Sequence, residues 1–222
     1  MVKQARGRKP ATIPTREAAT EQRILNAARA VFLRRGTAGA RMHEIAQEAE
    51  VNQALLHYYF RSKERLSAAV FQQVASRIFP ALAQTLGSDI SLDEKIDRVI
   101  AIYLENLSQN LFVPAYLISE LHHHRERVEQ LLTAAIGTDP KLVMPGFLKN
   151  LEKQINERVQ AGTMRPIKAQ QFVMNLVSLC VFPFAARPML SIVFGMDDAA
   201  FMRFIDHRKK ELPEFFRRAL RP

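Results

Sequence analysis

Apolar residues recur with helical spacing along almost the whole chain, and this periodicity constrains the fold more than any other feature of the sequence. They fall at the i, i+3, i+4 and i+7 positions that form one face of a helix. Two early examples are Ile24, Ala28, Val31 and Phe32, and then Met42, Ile45, Ala46 and Ala49. No stretch alternates apolar and polar residues as a half-buried strand does. The sequence therefore predicts an all-α fold.

Glycines that follow the apolar runs indicate where these helices end. Five stand where a left-handed capping residue is needed, namely Gly36, Gly87, Gly137, Gly162 and Gly195. The predicted helices cover residues 18–34, 42–49, 53–59, 63–86, 92–109, 113–136, 143–161, 168–194 and 198–220. Since the first three are short and the later ones long, we expect a small compact module followed by a helical bundle.

Positive charge is concentrated at the start of the chain. The net charge is +10, and residues 1–66 hold 13 of the 32 basic side chains but only 6 of the 22 acidic ones. Such an excess is typical of proteins with a polyanionic partner, although it can also serve solubility alone. Residues 1–19 lack apolar periodicity and predict a flexible basic arm, in which Arg8 and Lys9 resemble minor-groove contacts. A solubilising tail is the alternative for this arm.

Residues 42–59 predict a helix, a short turn and a second helix, which is the pattern of a helix-turn-helix motif. Asn52 is suited to cap the second helix through its side-chain oxygen. If Leu56 and Phe60 turn inward, the exposed face consists of Gln53, Ala54, Leu55, His57 and Tyr58. A helix that begins with small or hydrogen-bonding residues fits the major groove of DNA.

A further helix is predicted to begin directly after this motif. Ser62 is its expected cap, and the helix amides together with Lys63 form a seat for a phosphate. On the preceding helix, Gln53 is the clearest reader of an adenine, whereas Ala54 and Leu55 offer only apolar contacts such as one to a thymine methyl. The same polar helices could also belong to a simple helical subdomain.

The run GTAGARMHEIAQEAEVNQALLHYYFRSKERL resembles the DNA-binding region of the tetracycline-repressor (TetR) family of bacterial transcription regulators. The resemblance covers about residues 20–70. It implies an all-helical homodimer whose N-terminal module binds a palindromic operator. It also implies that the C-terminal domain forms the dimer and senses a small molecule.

The resemblance also suggests roles for individual residues. It assigns Gln53, Ala54, Leu55 and Tyr58 to the groove, His57 and Lys63 to phosphates, and Arg41, Met42 and His43 to a helix start near the DNA backbone. The sequence departs from the family pattern at Ala40 and Arg41, where Thr or Ser is frequent, and at His57, where Tyr is commoner. Glu50 stands where glycine is usual, and a positive φ there would cost on the order of 1 kcal/mol.

Together these observations predict an arm (1–19), a helix-turn-helix DNA-binding domain (20–66) and a helical regulatory and dimerisation domain (67–222). Residues 168–194 are apolar almost all round, and Pro183 and Pro188 should kink or break this helix. This segment and the last helix predict a dimer interface of four helices, two from each subunit. The residues assigned to this interface are Phe172, Leu176, Leu179, Phe201, Phe204 and Ile205. A core within one chain is the alternative.

Apolar and aromatic side chains on the central helices predict a pocket for a small hydrophobic effector. Its expected lining is Phe79, Tyr103, Tyr116, Met144, Phe147, Met174 and Phe182. A cationic effector would require Glu105 or Glu120 to face inward. Ordinary core packing is the alternative role for each of these residues.

Other functions find little support in the sequence. His122, His123 and His124 cannot all face one metal on a helix, and the only Glu-x-x-His pair, Glu120 and His123, lacks the second that a di-iron site needs. No phosphate-loop, dinucleotide or nucleophile motif occurs, so we predict no enzyme, cofactor or metal. Cys180 alone cannot form an intrachain disulfide, and no leader or 20-residue apolar span is present, so we expect a cytoplasmic protein without membrane contact.

We therefore predict a ligand-responsive, dimeric DNA-binding regulator, more specifically a repressor. The alternative is an architectural protein that binds DNA through its basic arm with little sequence preference.

Overall fold

A computed structural model describes residues 16–222, and within that range the chain forms eleven α-helices and no strand. The prediction of an all-α fold is confirmed. The helices are α1 (Arg16–Gly39), α2 (Met42–Glu48), α3 (Gln53–Phe60), α4 (Lys63–Gly87), α5 (Leu92–Ser108), α6 (Val113–His123), α7 (Arg125–Ile136), α8 (Pro140–Gln160), α9 (Ala169–Ala185), α10 (Arg187–Phe194) and α11 (Asp198–Ala219).

Helices α1, α2 and α3 form a small module around one apolar centre. The inward faces of α1 and α2 bury Phe32 and Ile45 completely, and α3 contributes Leu56. Short helices such as α2 and α3 are unstable alone, so this shared burial stabilises them. The module therefore presents α3 on a rigid support.

Helix α4 connects this module to the rest of the protein. Two residues separate it from α3, and it continues for 25 residues and packs against α1, α5, α7 and α8. The predicted domain boundary at residues 66–67 falls inside this helix, and one buried core continues across it. Pro80 lies within α4 and removes one amide from its hydrogen-bond ladder.

The remaining helices form the C-terminal bundle, in which α5 packs against α9 and α11. The rings of Phe172 and Phe216 meet edge to face at 5.3 Å, and those of Phe184 and Phe201 at 5.7 Å. These contacts join α9 to α11 within one chain.

This arrangement corrects much of the predicted dimer interface. Phe172, Leu176, Phe201 and Ile205 are at most 2% exposed, because they pack into the core of their own chain. Leu179 and Phe204 are partly buried against the same core. The intrachain alternative therefore holds for the four buried residues.

Two predicted helices are each divided in two. The predicted helix 113–136 breaks at His124, whose backbone angles are not helical (φ −143°, ψ 56°), and no proline or glycine marks that position. The predicted helix 168–194 breaks at Ala186 with a bend of 67° between α9 and α10. Pro188 lies in the first turn of α10, as the prediction of a proline-induced break requires.

Other differences concern helix ends. Helix α1 already includes residues 16–19, which the sequence placed in the arm; Glu17 in its first turn complements the helix dipole. Helix α8 begins at Pro140 behind an Asp139 cap, a Pro-after-cap signal that the predicted start at residue 143 missed. Gly87 does not have a positive φ; a Cβ there would lie 3.2 Å from the Phe147 ring, so this glycine allows α8 to approach α4 closely.

Among residues 16–222, no single helix is long and apolar enough to cross a membrane. The bent pair α9 and α10 meets the length and composition criteria only when both helices are taken together.

Candidate nucleic-acid interface and ligand cavity

Helix α3 presents a mostly polar face to solvent. Its first turn is capped by Asn52, whose side-chain oxygen accepts a hydrogen bond from the Leu55 amide at 2.7 Å. Leu56 and Phe60 are buried, as expected, and they hold the helix against the module. The outward positions are the predicted ones: Gln53, Ala54, His57 and Tyr58 are exposed, and Leu55 is half-buried. The Tyr58 side chain is 76% exposed, so it projects well beyond the helix.

The start of α2 lies beside this face. Arg41 and His43 are exposed, whereas Met42 is half-buried against the core. The Glu44 carboxylate accepts a hydrogen bond from the Arg41 amide at 3.2 Å, which is one half of a capping box; Arg41 has no acceptor with which to supply the half that Thr or Ser would provide. The side chains of Arg41 and His43 thus remain available to a partner.

The turn between α2 and α3 has the strain that the sequence suggested. Glu50 adopts a φ of 53°, and its amide donates to the Gln47 carbonyl at 3.0 Å. The next amide, from Val51, donates to the Ala46 carbonyl at 3.0 Å. These two bonds hold Glu50 in the conformation that glycine would adopt without strain.

The predicted phosphate seat at the start of α4 is partly occupied by groups of the chain itself. The Ser62 hydroxyl caps the helix, accepting from the Arg65 amide at 3.3 Å. Backbone hydrogen bonding at the helix start, aided by Ser62, lowers the pKa of the Glu64 carboxyl, as expected where amides favour negative charge. The Lys63 ammonium donates to the Ala38 carbonyl at 2.9 Å and thereby ties the end of α1 to α4. An ammonium has three donors, so this bond leaves two for a phosphate.

The link between α3 and α4 carries a cation. Arg61 is exposed between α3 and α4, has a φ of 54° and forms no ion pair with any residue from 16 to 222; the sequence analysis did not single it out. A cation between an exposed polar helix and a capped helix start is the signal that could have found it. Arg8 and Lys9 lie outside the described residues.

A second feature is an apolar cavity of about 130 Å³ between α4, α5, α8 and α9. Four of the predicted pocket residues line it: Phe79, Tyr103, Met144 and Phe147. The other side chains around it are Leu, Ile, Val, Ala and Phe. The sequence analysis missed several of them, including Leu82, Ala83 and Leu151. Core and cavity positions lie on the same apolar face of a helix, so periodicity does not separate them.

Three predicted pocket residues lie elsewhere. Tyr116 is buried against Phe71, at a ring distance of 5.9 Å, because it faces the interior between α6 and α4. Met174 and Phe182 are 61% and 58% exposed, since they occupy the outer face of α9 while its inner face packs on the core.

Tyr103 supplies the only hydroxyl among the side chains that line the cavity. Burial raises the pKa of its phenol, and neighbouring Cys180 adds to the effect. Tyr103 therefore remains a neutral hydrogen-bond donor throughout the physiological range.

The histidine run does not form a metal site in this arrangement. The rings of His122 and His123 each lie 2.8 Å from the carbonyl one turn earlier, those of Ile118 and Ser119. Within residues 16–222, no three His, Cys, Asp or Glu side chains are grouped so as to hold a metal ion.

Comparison with known proteins places these features in context. Residues 24–70 match the family described as bacterial regulatory proteins, tetR family. The HTH-type transcriptional repressor SCO4008 of Streptomyces coelicolor is 35% identical over 115 residues, which cover 50% of this chain and 58% of that protein. The match thus spans less than two thirds of that relative.

Solved structures agree with the fold. HlyIIR, a hemolysin II transcriptional regulator, superimposes with a TM-score of 0.58 at 22% identity, covering 94% of this chain and 99% of that one. FadR from Bacillus subtilis, solved in complex with stearoyl-CoA, gives a TM-score of 0.56 at 15% identity and covers 88% of this chain and 96% of that one. At these identities the likeness concerns the fold alone.

Proposed function

We propose that this chain, whose residues 24–70 match the tetR family of bacterial regulatory proteins, is a DNA-binding transcriptional regulator and more specifically a ligand-responsive repressor. In this proposal it binds a palindromic operator as a homodimer. A small hydrophobic molecule that enters the cavity releases the operator. The cytoplasm, where bacterial DNA lies, is its proposed location.

The exposed face of α3 is the observation that supports operator binding. Its cap leaves the first turn ordered, and the outward side chains combine a hydrogen-bonding Gln53 with the projecting Tyr58. We propose that base edges are read by four residues of α3: Gln53, Ala54, Leu55 and Tyr58. We propose that the sugar-phosphate backbone of the DNA is contacted by Arg41, Met42, His43, His57 and Lys63, which thereby position the protein on the duplex. Arg8 and Lys9 are proposed to reach the neighbouring minor groove.

Two copies are needed to read a palindrome, because its half-sites repeat about 34 Å apart on one face of the duplex. We assign the pairing to the outer faces of α9 and α10. The exposed apolar side chains there are Met174, Phe182, Met189, Ile192, Val193 and Phe194. A soluble monomer seldom leaves so many large apolar side chains open on neighbouring helices.

Helix α4 supplies a physical connection between the cavity and the DNA. Its far end contributes Phe79, Leu82 and Ala83 to the lining, and its near end follows α3 directly. The two regions are about 24 Å apart along the helix, from a rise of about 1.5 Å per residue. A ligand that displaces the far end of α4 would therefore move α3 relative to its partner and misalign the two half-sites.

Selection from a random duplex library at near-physiological salt tests the proposal. The purified protein should enrich one inverted repeat with half-sites about one helical turn apart. Retention of unrelated or merely A·T-rich duplexes would favour the arm-driven architectural protein instead. Deleting residues 1–15, which precede α1, separates the two functions further, since the repressor should keep its sequence preference while the arm-driven binder should lose most of its affinity.

Two variants test the assigned roles on the selected operator. Gln53→Ala should alter the preferred base at one position of each half-site. Lys63→Ala should weaken binding to all sequences. It should also reduce by about one the slope of the logarithm of the binding constant against the logarithm of the salt concentration. Equal losses of slope in both variants would contradict the division into base-reading and backbone-positioning residues.

A further inference from the structure

The lining of the cavity constrains the chemistry of the molecule that it would hold. Among the side chains of residues 16–222 that line it, Tyr103 provides the only hydroxyl, and none is Lys, Arg, His, Asp or Glu. A charged group moved into such a site loses its hydration without gaining a partner. A ligand in this cavity must therefore be uncharged where it contacts the walls.

The size of the cavity limits the ligand further. Its volume is about 130 Å³. Apolar cavities of about 150 Å³ hold a molecule the size of benzene. A single ring with a short substituent is therefore at the upper limit of what the cavity can hold, whereas a long acyl chain would need the surrounding helices to separate.

Aromatic side chains line several walls of the cavity. Phe79, Phe147 and Phe172 come from α4, α8 and α9, and Met144 adds a thioether. Aromatic rings favour edge-to-face and offset contacts with one another, and thioethers also contact ring edges favourably. This lining favours an aromatic ligand over an aliphatic one of equal size.

The Tyr103 hydroxyl supplies the one directional contact. It has no hydrogen-bond partner among residues 16–222, although most of the side chain is buried. An acceptor on a ligand in the cavity would give this free hydroxyl a hydrogen bond in apolar surroundings. Because the phenol stays protonated, the complementary group on the ligand is an acceptor oxygen.

We propose that the effector is a neutral, single-ring aromatic molecule with one acceptor oxygen, which receives a hydrogen bond from Tyr103. This inference rests on the proposed role of the cavity as the effector site. It excludes acyl-coenzyme A compounds, because their phosphates find no cation on these walls.

Calorimetric titration of the full-length protein with four probes tests the inference. Acetophenone has the ring and a carbonyl acceptor, cumene has nearly the same shape without an acceptor, benzoate carries a charge, and stearoyl-CoA represents the acyl thioesters. Acetophenone should bind about five- to tenfold more tightly than cumene, because one hydrogen bond usually strengthens binding by about that factor. Benzoate and stearoyl-CoA should bind far more weakly than either.

Variants locate the effect. Tyr103→Phe should remove the preference for acetophenone and leave cumene binding unchanged. Tyr116→Phe is the control, since it removes another hydroxyl that has no partner among the described residues but lies outside the cavity; it should preserve the preference. Ala83→Leu should fill the cavity and weaken both neutral probes.

Several results would overturn the inference: equal binding of cumene and acetophenone, tighter binding of benzoate or stearoyl-CoA, or an unchanged preference in Tyr103→Phe. Operator binding is measured in parallel and separates this inference from the proposed function. If acetophenone binds as expected without releasing the operator, the ligand class holds and ligand-responsive repression fails. If the operator is bound but no neutral aromatic probe binds, the ligand class fails and operator recognition remains.

Discussion

Glu50 carries a conformational cost in the turn that orients α3. Its φ of 53° lies in the left-handed region, where side chains with a Cβ are disfavoured. The hydrogen bonds from the Glu50 and Val51 amides keep the residue there. The side chain itself is exposed and makes no ion pair with any residue between 16 and 222, so no charge pairing within that range offsets the strain.

Replacing this residue with glycine should stabilise the protein. We expect Glu50→Gly to raise the free energy of unfolding by about 0.5–1 kcal/mol and Tm by about 1–4 °C, because the relief of strain exceeds the added entropy of the unfolded chain. Thermal unfolding followed by circular dichroism measures the change. Gln47→Gly, on the exposed face of α2, is the control and should lower Tm, since glycine inside a helix costs about 1 kcal/mol. A fall in Tm for Glu50→Gly would show that its conformation is not strained.

Sequence reasoning succeeded for single residues wherever the partner is close in the chain. Asn52 and Ser62 cap α3 and α4 as predicted, since a cap bonds to an amide only three residues away. The partner of Lys63 is the Ala38 carbonyl, 25 residues earlier, and no local pattern indicates it. The break at His124 likewise lacks any proline or glycine signal.

Helix α9 illustrates how apolar periodicity can leave a face unassigned. The helix is apolar almost all round, so its sequence alone permits either side to be the core. In the structure Phe172, Leu176 and Cys180 turn inward, and Met174 and Phe182 turn outward. The face of α9 that is buried is the one that packs against α5 and α11. The predicted interface therefore named the inward residues, whereas the outward ones are those available to a second chain.

We expect Phe182→Asp to convert the proposed dimer into a monomer without unfolding it. The side chain is 58% exposed, so a carboxylate is tolerated in the free chain but would be desolvated, and face its own copy, in a symmetric interface. Size-exclusion chromatography with light scattering measures the mass. Leu142→Asp is the matched control, because Leu142 is 75% exposed on α8, outside the assigned surface. Dimerisation that persists in Phe182→Asp, or is lost in Leu142→Asp, would place the interface elsewhere.

The C-terminal bundle buries weakly acidic side chains in an apolar interior. Desolvation raises the pKa of the Cys180 thiol from 9.0 to about 12, and an adjacent Arg208 offsets only part of this shift. Burial also raises the pKa of Tyr116 to about 12. Such groups remain protonated in the folded protein at a pH where the unfolded chain has already lost the proton.

Stability should consequently fall as the pH rises above 9. The unfolded thiol loses its proton near pH 9, whereas the folded thiol loses it only near pH 12. The free energy of unfolding is therefore unaffected by this group below pH 9 and decreases between pH 9 and pH 12. For Cys180 the slope approaches about 1.4 kcal/mol per pH unit. Urea unfolding at a series of pH values should show a shallower decline in Cys180→Ala than in the natural sequence. Parallel declines in the two proteins above pH 9 would mean that Cys180 does not titrate in this way.

The amino-acid sequence determined the helical class, the helix-turn-helix motif, most helix ends and the outward face of α3, because periodicity, caps and a short motif are all written in neighbouring residues. Tertiary packing decided the rest. It selected which side of α9 is core, grouped Phe79, Tyr103, Met144 and Phe147 around one cavity, and moved Tyr116, Met174 and Phe182 away from it. The reason is physical: an apolar side chain lowers its free energy equally well against any apolar neighbour, so only the positions of distant helices determine whether it lies in a core, a cavity or an interface.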